Sequence, residues 1–196
     1  MLVNDMRADV LLVGLSTLIN SGKPGFDGHY RVVTIGAQVV IEFFEGAAAG
    51  GGMLPVKIVP YRTDTINTMT VGTVEAISGE FTGCVMTLFT EGGARKVGHV
   101  DTNTDTSQRA AYEQRKKNGE ITVIDEFDSA GKLSPYPMLT GATRILCLAS
   151  GDRVVHYFVD KETHQYSGNV PVPGGGGTTF GVKNETRYRI LHSHGH

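Results

Sequence analysis

Two side chains in this sequence can do covalent chemistry together. They are the Cys84 thiol, in Thr82-Gly83-Cys84-Val85, and the His99 imidazole, in Gly98-His99-Val100-Asp101. A thiolate is a strong nucleophile, and an imidazole beside it raises the thiolate fraction and later returns a proton to a leaving amine. That is acyl-transfer chemistry on an amide. His99 follows Cys84 by 15 positions, which suits two adjacent antiparallel strands joined by the polar, glycine-containing loop Thr90 to Lys96. Gly83 permits a sharp turn just before the thiol, so that local backbone amides can face a reacting carbonyl as an oxyanion hole requires.

Each residue also has a plainer reading. A cysteine in an apolar strand is commonly a small buried hydrophobe, and a lone strand histidine is commonly a packed residue. Strand periodicity places Cys84, Met86 and Leu88 on one face and Val85, Thr87 and Phe89 on the other, both largely apolar, so this strand should be central in its sheet. Val97 and His99 share a face, and Gly98 between them has no side chain to obstruct the neighbouring strand. Asp101 projects to the same side as His99 and competes to orient the imidazole. Same-face neighbours start roughly 6 to 7 Å apart, however, which favours Asp101 as a rim or turn residue.

The remaining candidates read as structural. Cys147 lies in Arg144-Ile145-Leu146-Cys147-Leu148-Ala149, apolar on both sides, and reads as a core thiol. His156, between Val155 and Tyr157, reads as a packed strand residue. His192, His194 and His196 alternate in a tail that suits loose, incidental binding of a transition metal rather than a built site. The charged segment Glu113 to Glu120 reads as the solvated face and end of a helix, and Asp125 to Asp128 as a solvated acidic strip.

The elements that must position this chemistry are mostly strands. Short β-branched and aromatic runs punctuated by Gly, Pro, Asn and Asp place strands at Tyr30 to Ile35, Gln38 to Phe44, Pro55 to Tyr61, Met69 to Ala76, Cys84 to Phe89 and Lys96 to Val100. Further strands fall at Ile121 to Ile124, Thr143 to Leu148, Arg153 to Val159 and Arg187 to His192. One helix is expected from Ser107 to Lys117, capped by the preceding Thr and Asp residues and stopped by Asn118-Gly119. The pattern predicts an α+β fold with a mostly antiparallel, β-sandwich-like core and a few flanking helices. The 196 residues are read as one catalytic domain, long enough to bury a core without disulfides or metals. Two glycine tracts, Gly46 to Gly52 and Gly174 to Gly177, lack the lysine and hydroxyl of a phosphate loop and read as surface loops, or as the border of a substrate groove.

Composition removes several functions. With 40% hydrophobic and 19% charged residues and a net charge of −2, the chain is ordinary and globular, a poor match for nucleic acid recognised through phosphate charge. Two cysteines in unrelated patterns form neither a disulfide framework nor a zinc knuckle and suit a reducing compartment. Arg7 before the apolar run Val10 to Ile19 faintly resembles a secretory leader, but Asp9 interrupts it and no small-residue cleavage site follows. The run is too short to cross a membrane and is read as the first structural element.

Over residues 73 to 101, Thr82-Gly83-Cys84 with the downstream Gly98-His99 resembles the catalytic core of the bacterial glutamine deamidases, the group of the cytotoxic necrotizing factors, Burkholderia lethal factor and the chemoreceptor deamidases. The resemblance implies a β-sandwich-like core with outer helices, Cys84 as nucleophile and His99 as acid-base. In several members a hydroxyl residue six positions before the cysteine orients the histidine, which here falls on Ser78, a serine where those members use threonine; the longest toxins use a backbone carbonyl instead. It implies no cofactor or metal. The implied partner is a protein substrate, such as a host GTPase or a translation factor, and the implied setting is the producer's cytoplasm or a host cell into which the chain is delivered. A cysteine peptidase or transglutaminase shares the same acyl-enzyme step, and a non-catalytic β-sandwich interaction module with Cys84 simply buried is the reading from a different class.

Overall fold

Among the residues that the computed structural model describes, 1–46, 50–102, 106–132, 143–171 and 178–194, the chain is mostly β with few helices. Eight strands close into a mixed barrel: β1 (Leu11–Val13), β2 (Phe26–Ile35), β3 (Gln38–Glu45), β4 (Leu54–Ile58), β6 (Ala76–Gly79), β10 (Thr143–Ser150), β11 (Arg153–Pro171) and β12 (Thr178–His194). Around the barrel they run β1-β12-β11-β10-β6-β4-β2-β3, and β3 returns to β1. The other four strands, β5 (Ile66–Thr70), β7 (Val85–Glu91), β8 (Ala94–Val100) and β9 (Thr122–Asp128), form an antiparallel sheet in the order β5-β8-β7-β9. The helices are α1 (Leu2–Asp5), α2 (Leu15–Ile19), α3 (Ser107–Lys117) and α4 (Ser129–Lys132). None of these is long and apolar enough to cross a membrane.

The expected mostly antiparallel, β-sandwich-like core is more specifically a closed mixed main sheet with a four-stranded antiparallel sheet beside it. Closure depends on β1, three residues that pair antiparallel with β12 and parallel with β3. The apolar run Val10 to Ile19 is not one element. Gly14 divides it at φ +79°, and a Cβ there would come within 2.6 Å of the Phe43 carbonyl oxygen, so only glycine fits between β1 and α2.

The expected strand Met69 to Ala76 is also two strands: β5 belongs to the small sheet and β6 to the barrel wall, with a turn between. The β7–β8 hairpin is tighter than the expected loop, because Glu91 already pairs with Ala94 around Gly92-Gly93. Helix α3 spans the expected residues, but Thr106 at its N-cap makes no side-chain capping bond. Of the glycine tracts, residues 47–49 and 172–177 lie outside the described residues, as does His196.

Alternation in the barrel wall builds two cores. On β6, Ile77 points into the barrel while Ala76 faces outward, and on β10 Leu146 and Leu148 point in while Ile145, Cys147 and Ala149 point out. The inner cluster takes in Leu2 and Met6 from the N-terminal segment and Leu15, Leu18 and Ile19 of α2. The outward side chains meet Cys84, Met86, Leu88, Val97 and Phe127 of the small sheet in a second core. The far face of that sheet packs Val85, Phe89 and Val100 against Tyr112 of α3. Strand β7 thus lies in the sheet interior with both faces covered, as its two apolar faces demanded.

Candidate active site

Cys84 stands immediately before β7, and three separate segments hold its turn. Gly83 adopts φ +150°, its amide donates to Ser129 Oγ at 2.8 Å, and its carbonyl accepts from Arg109 Nη2 at 3.3 Å and from the Thr102 hydroxyl. Arg109 is itself fixed by a bidentate pair with Asp128 at 2.6 and 2.8 Å. Ser129 closes the clamp by donating to the Cys84 carbonyl at 2.9 Å. The Gly83 amide is consequently spent on structure and is not among the local amides that can face a carbonyl at this turn.

His99 reaches the thiol's side of the sheet through register. It pairs with Met86, so Cys84, two residues earlier on the same face, is its diagonal neighbour, a relation within reach of longer side chains. Ser78 arrives from the barrel wall. Its Oγ lies 2.5 Å from the Val59 carbonyl and 2.8 Å from His99 Nδ1. A carbonyl only accepts, so Ser78 donates its single proton to Val59 and must accept from Nδ1–H. The imidazole is then the Nδ1–H tautomer, with the Nε2 lone pair as its basic position. Nε2 is buried and has no hydrogen-bond partner among the described residues, so its lone pair is the ring's open acceptor position. The ring is gripped by Phe81, stacked with centroids 4.2 Å apart and 17° between planes, and flanked by Tyr61 at 5.5 Å.

Burial keeps both side chains neutral. His99 is 1% exposed, and desolvation lowers its pKa to about 3 against the pull of Asp101. Cys84 is fully buried, and desolvation raises its pKa to about 11; hydrogen bonds from Thr102 pull it down, while the Asp101 carboxylate pushes it further up. The thiol donates to Asp101 Oδ1 at 3.8 Å, and Asp101 Oδ2 accepts the Asp64 amide at 2.7 Å. Asp101 is thus no rim residue. It lies 2% exposed beside the sulfur, because β8 continues one step past the last ladder pair, Val85 with Val100, and that step places residue 101 across from residue 84. A thiol beside a carboxylate is held protonated, because the neighbouring negative charge disfavours a thiolate.

The other candidates take structural places. Cys147 pairs with Ser78 across the barrel wall, and burial pushes its thiol well above the ordinary range. His156 stacks on Phe127 at 4.3 Å, and the exposed His192 lies against Phe158 at 4.6 Å. Among the described residues no cluster of three or more His, Cys, Asp or Glu side chains could hold a metal ion. The acidic strip is not simply solvated: Asp125 accepts the Val154 amide at 2.7 Å, Glu126 accepts from the Tyr112 hydroxyl at 2.7 Å, and Asp128 holds Arg109. Likewise Arg115 and Lys116 of α3 pair with Glu91 and Glu126 of the small sheet. Sequence reasoning missed Thr102, Arg109, Ser129, Phe81 and Tyr61, since no local spacing links them to the thiol. Of these, only Phe81 and Thr102 lie near Cys84 or His99 in the chain.

No protein-family model matches the sequence, and no curated protein matches it either.

Proposed function

We propose that the chain is a cysteine-dependent amidohydrolase that deamidates a glutamine side chain of a protein, in the manner of a toxin or effector. The observation that carries this reading is the Ser78–His99 hydrogen bond, which leaves a neutral, unpartnered Nε2 on the Cys84 face of the sheet. Nε2 takes the thiol proton as sulfur adds to the carboxamide carbon. The resulting imidazolium protonates the departing ammonia, and a thioester remains on Cys84. Water then adds to the thioester with Nε2 as base, releasing glutamate and restoring the thiol. Ser78 and Phe81 keep the ring in the required tautomer and plane throughout. Deamidation is favoured over peptide cleavage or amine transfer by the resemblance of Thr82-Gly83-Cys84 and Gly98-His99 to the deamidases. A regulatory GTPase or a translation factor in a host cell is the substrate class that follows from it.

The full burial of Cys84 and its raised pKa favour one other reading, a non-catalytic interaction module whose thiol is core packing. Peptide mass mapping of a eukaryotic lysate treated with the wild-type chain, Cys84→Ala or His99→Ala separates the two. The enzyme converts a defined glutamine to glutamate with the chain intact, and both variants fail to do so. Two peptide fragments would identify a peptidase, and an amine adduct a transglutaminase. Conversion that persists with Cys84→Ala would refute the nucleophile.

A further inference from the structure

A buried acyl-transfer pair needs a way in. The fold brings a cavity to the Tyr61 ring, which in turn lies against His99. A surface cavity of about 220 Å³ is lined by Asn20, Tyr61, Glu80 and Thr82. Asn20 and Thr82 are exposed, so the cavity opens to solvent; Thr82 lies two residues before Cys84, and Tyr61 contacts the His99 ring. We propose that this cavity admits the substrate's carboxamide side chain, and that the Tyr61 ring is the door between it and the Cys84–His99 pair. The inference rests on the amidohydrolase reading for the identity of the ligand but not for the route.

Among the described residues two rings touch the imidazole, and of these Tyr61 is the one placed to move. Phe81 is 1% exposed within the second core, and its amide donates to the Ile145 carbonyl at 3.0 Å, which ties it to the barrel wall. Tyr61 is half-buried at the margin of that core. Its backbone is fixed, because its amide donates to the Ile19 carbonyl at 2.9 Å and the following turn is held where the Asp64 amide meets Asp101. The door is therefore a side-chain rotation, a fast motion for a partly exposed ring that needs no loop displacement.

The cavity also selects its guest. It is smaller than the roughly 300–1,000 Å³ sites that enclose a free small molecule, and so suits one side chain presented by a protein segment. Its single carboxylate, Glu80, is already neutralised by Lys161 at 2.7 Å and Arg144 at 3.3 Å and accepts further bonds from Asn20 and the Tyr188 hydroxyl. With Glu80 already occupied by two cations, the described lining disfavours a lysine and offers polar Asn20 and Thr82 to a carboxamide.

Alkylation by iodoacetamide, followed peptide by peptide in the native chain, reads access without requiring turnover. Tyr61→Ala should speed modification of Cys84 by about tenfold or more, since the closed state no longer has to open, while Cys147 stays unreactive. Thr82→Trp, which fills the cavity from its exposed rim, should slow Cys84 in both the wild-type and Tyr61→Ala backgrounds. An unchanged Cys84 rate in Tyr61→Ala, an equal rise at Cys147, or indifference to Thr82→Trp would each overturn the route. Should Tyr61→Ala not fold, Tyr61→Leu makes the same comparison. If alkylation follows the expected pattern and no glutamine is converted by the wild type, the door stands and the deamidase reading falls.

Discussion

A neutral imidazole sealed at 1% exposure makes the fold sensitive to acid in a calculable way. Folding moves the His99 pKa from the ordinary 6.5 to about 3, with desolvation as the cause. Between those values the unfolded chain binds a proton that the folded chain refuses. Stability from this group is therefore complete above 6.5 and is lost progressively as pH falls towards 3. At about 1.4 kcal/mol per unit, the loss between pH 7 and pH 4.5 is about 2.5 kcal/mol. The depressed Glu80, stabilised by Lys161 and Tyr188, loses stability in the same direction, so wild-type data alone would mix the two. The perturbation that isolates His99 is His99→Gln, which removes the titrating ring while leaving Glu80 in place. Urea unfolding at the two pH values should show a midpoint drop larger in the wild type than in His99→Gln by about 1 M, at an m-value of about 2–3 kcal/mol/M. The same pH range followed by NMR should show no protonation of His99 in the folded wild type. Equal pH slopes in the two proteins, or a His99 that titrates near 6.5 in the folded state, would refute the sealed-imidazole account and with it the neutral resting pair.

Ser78→Ala should strip Nδ1–H and the Val59 carbonyl of their shared partner, costing about 1–3 kcal/mol for each buried group left unsatisfied. In nitrogen NMR the single Nδ1–H tautomer of the wild type should become a mixture, with Ser78→Thr restoring it; a wild-type Nε2–H signal would reverse the assignment of the base. Ser129→Ala releases both the Gly83 amide and the Cys84 carbonyl and should lower unfolding stability by about 1–3 kcal/mol. A loss below about 0.5 kcal/mol would show that the nucleophile turn does not need its clamp.

Local periodicity carried much of the site. The alternation in residues 84–89 requires a strand covered on both faces, and β7 lies inside its sheet for that reason. The spacing from Cys84 to His99 implied a hairpin, and the ladder pairs Met86 with His99. Ser78 was proposed through resemblance alone, because nothing in its neighbourhood shows that it reaches another sheet. Its bond to His99 arises where a barrel strand packs against the four-stranded sheet.

Asp101 shows the limit from the other side: reasoning along its own strand sent it to the rim, whereas its neighbour lies across the ladder. Composition and alternation, acting over a few residues, determined that the chain is rich in strands, that Cys84 and His99 belong to neighbouring strand segments, and that α3 runs over residues 107–117. Only tertiary structure decided that the main sheet closes, since closure needs the three residues of β1 to pair with residues 29 positions away on β3 and 174 or more away on β12. The neutrality of Cys84 and His99 and the clamp on Gly83 were decided there too. Desolvation and long-range hydrogen bonds depend on what surrounds a side chain in space, and the order of residues along the chain encodes that only through the fold.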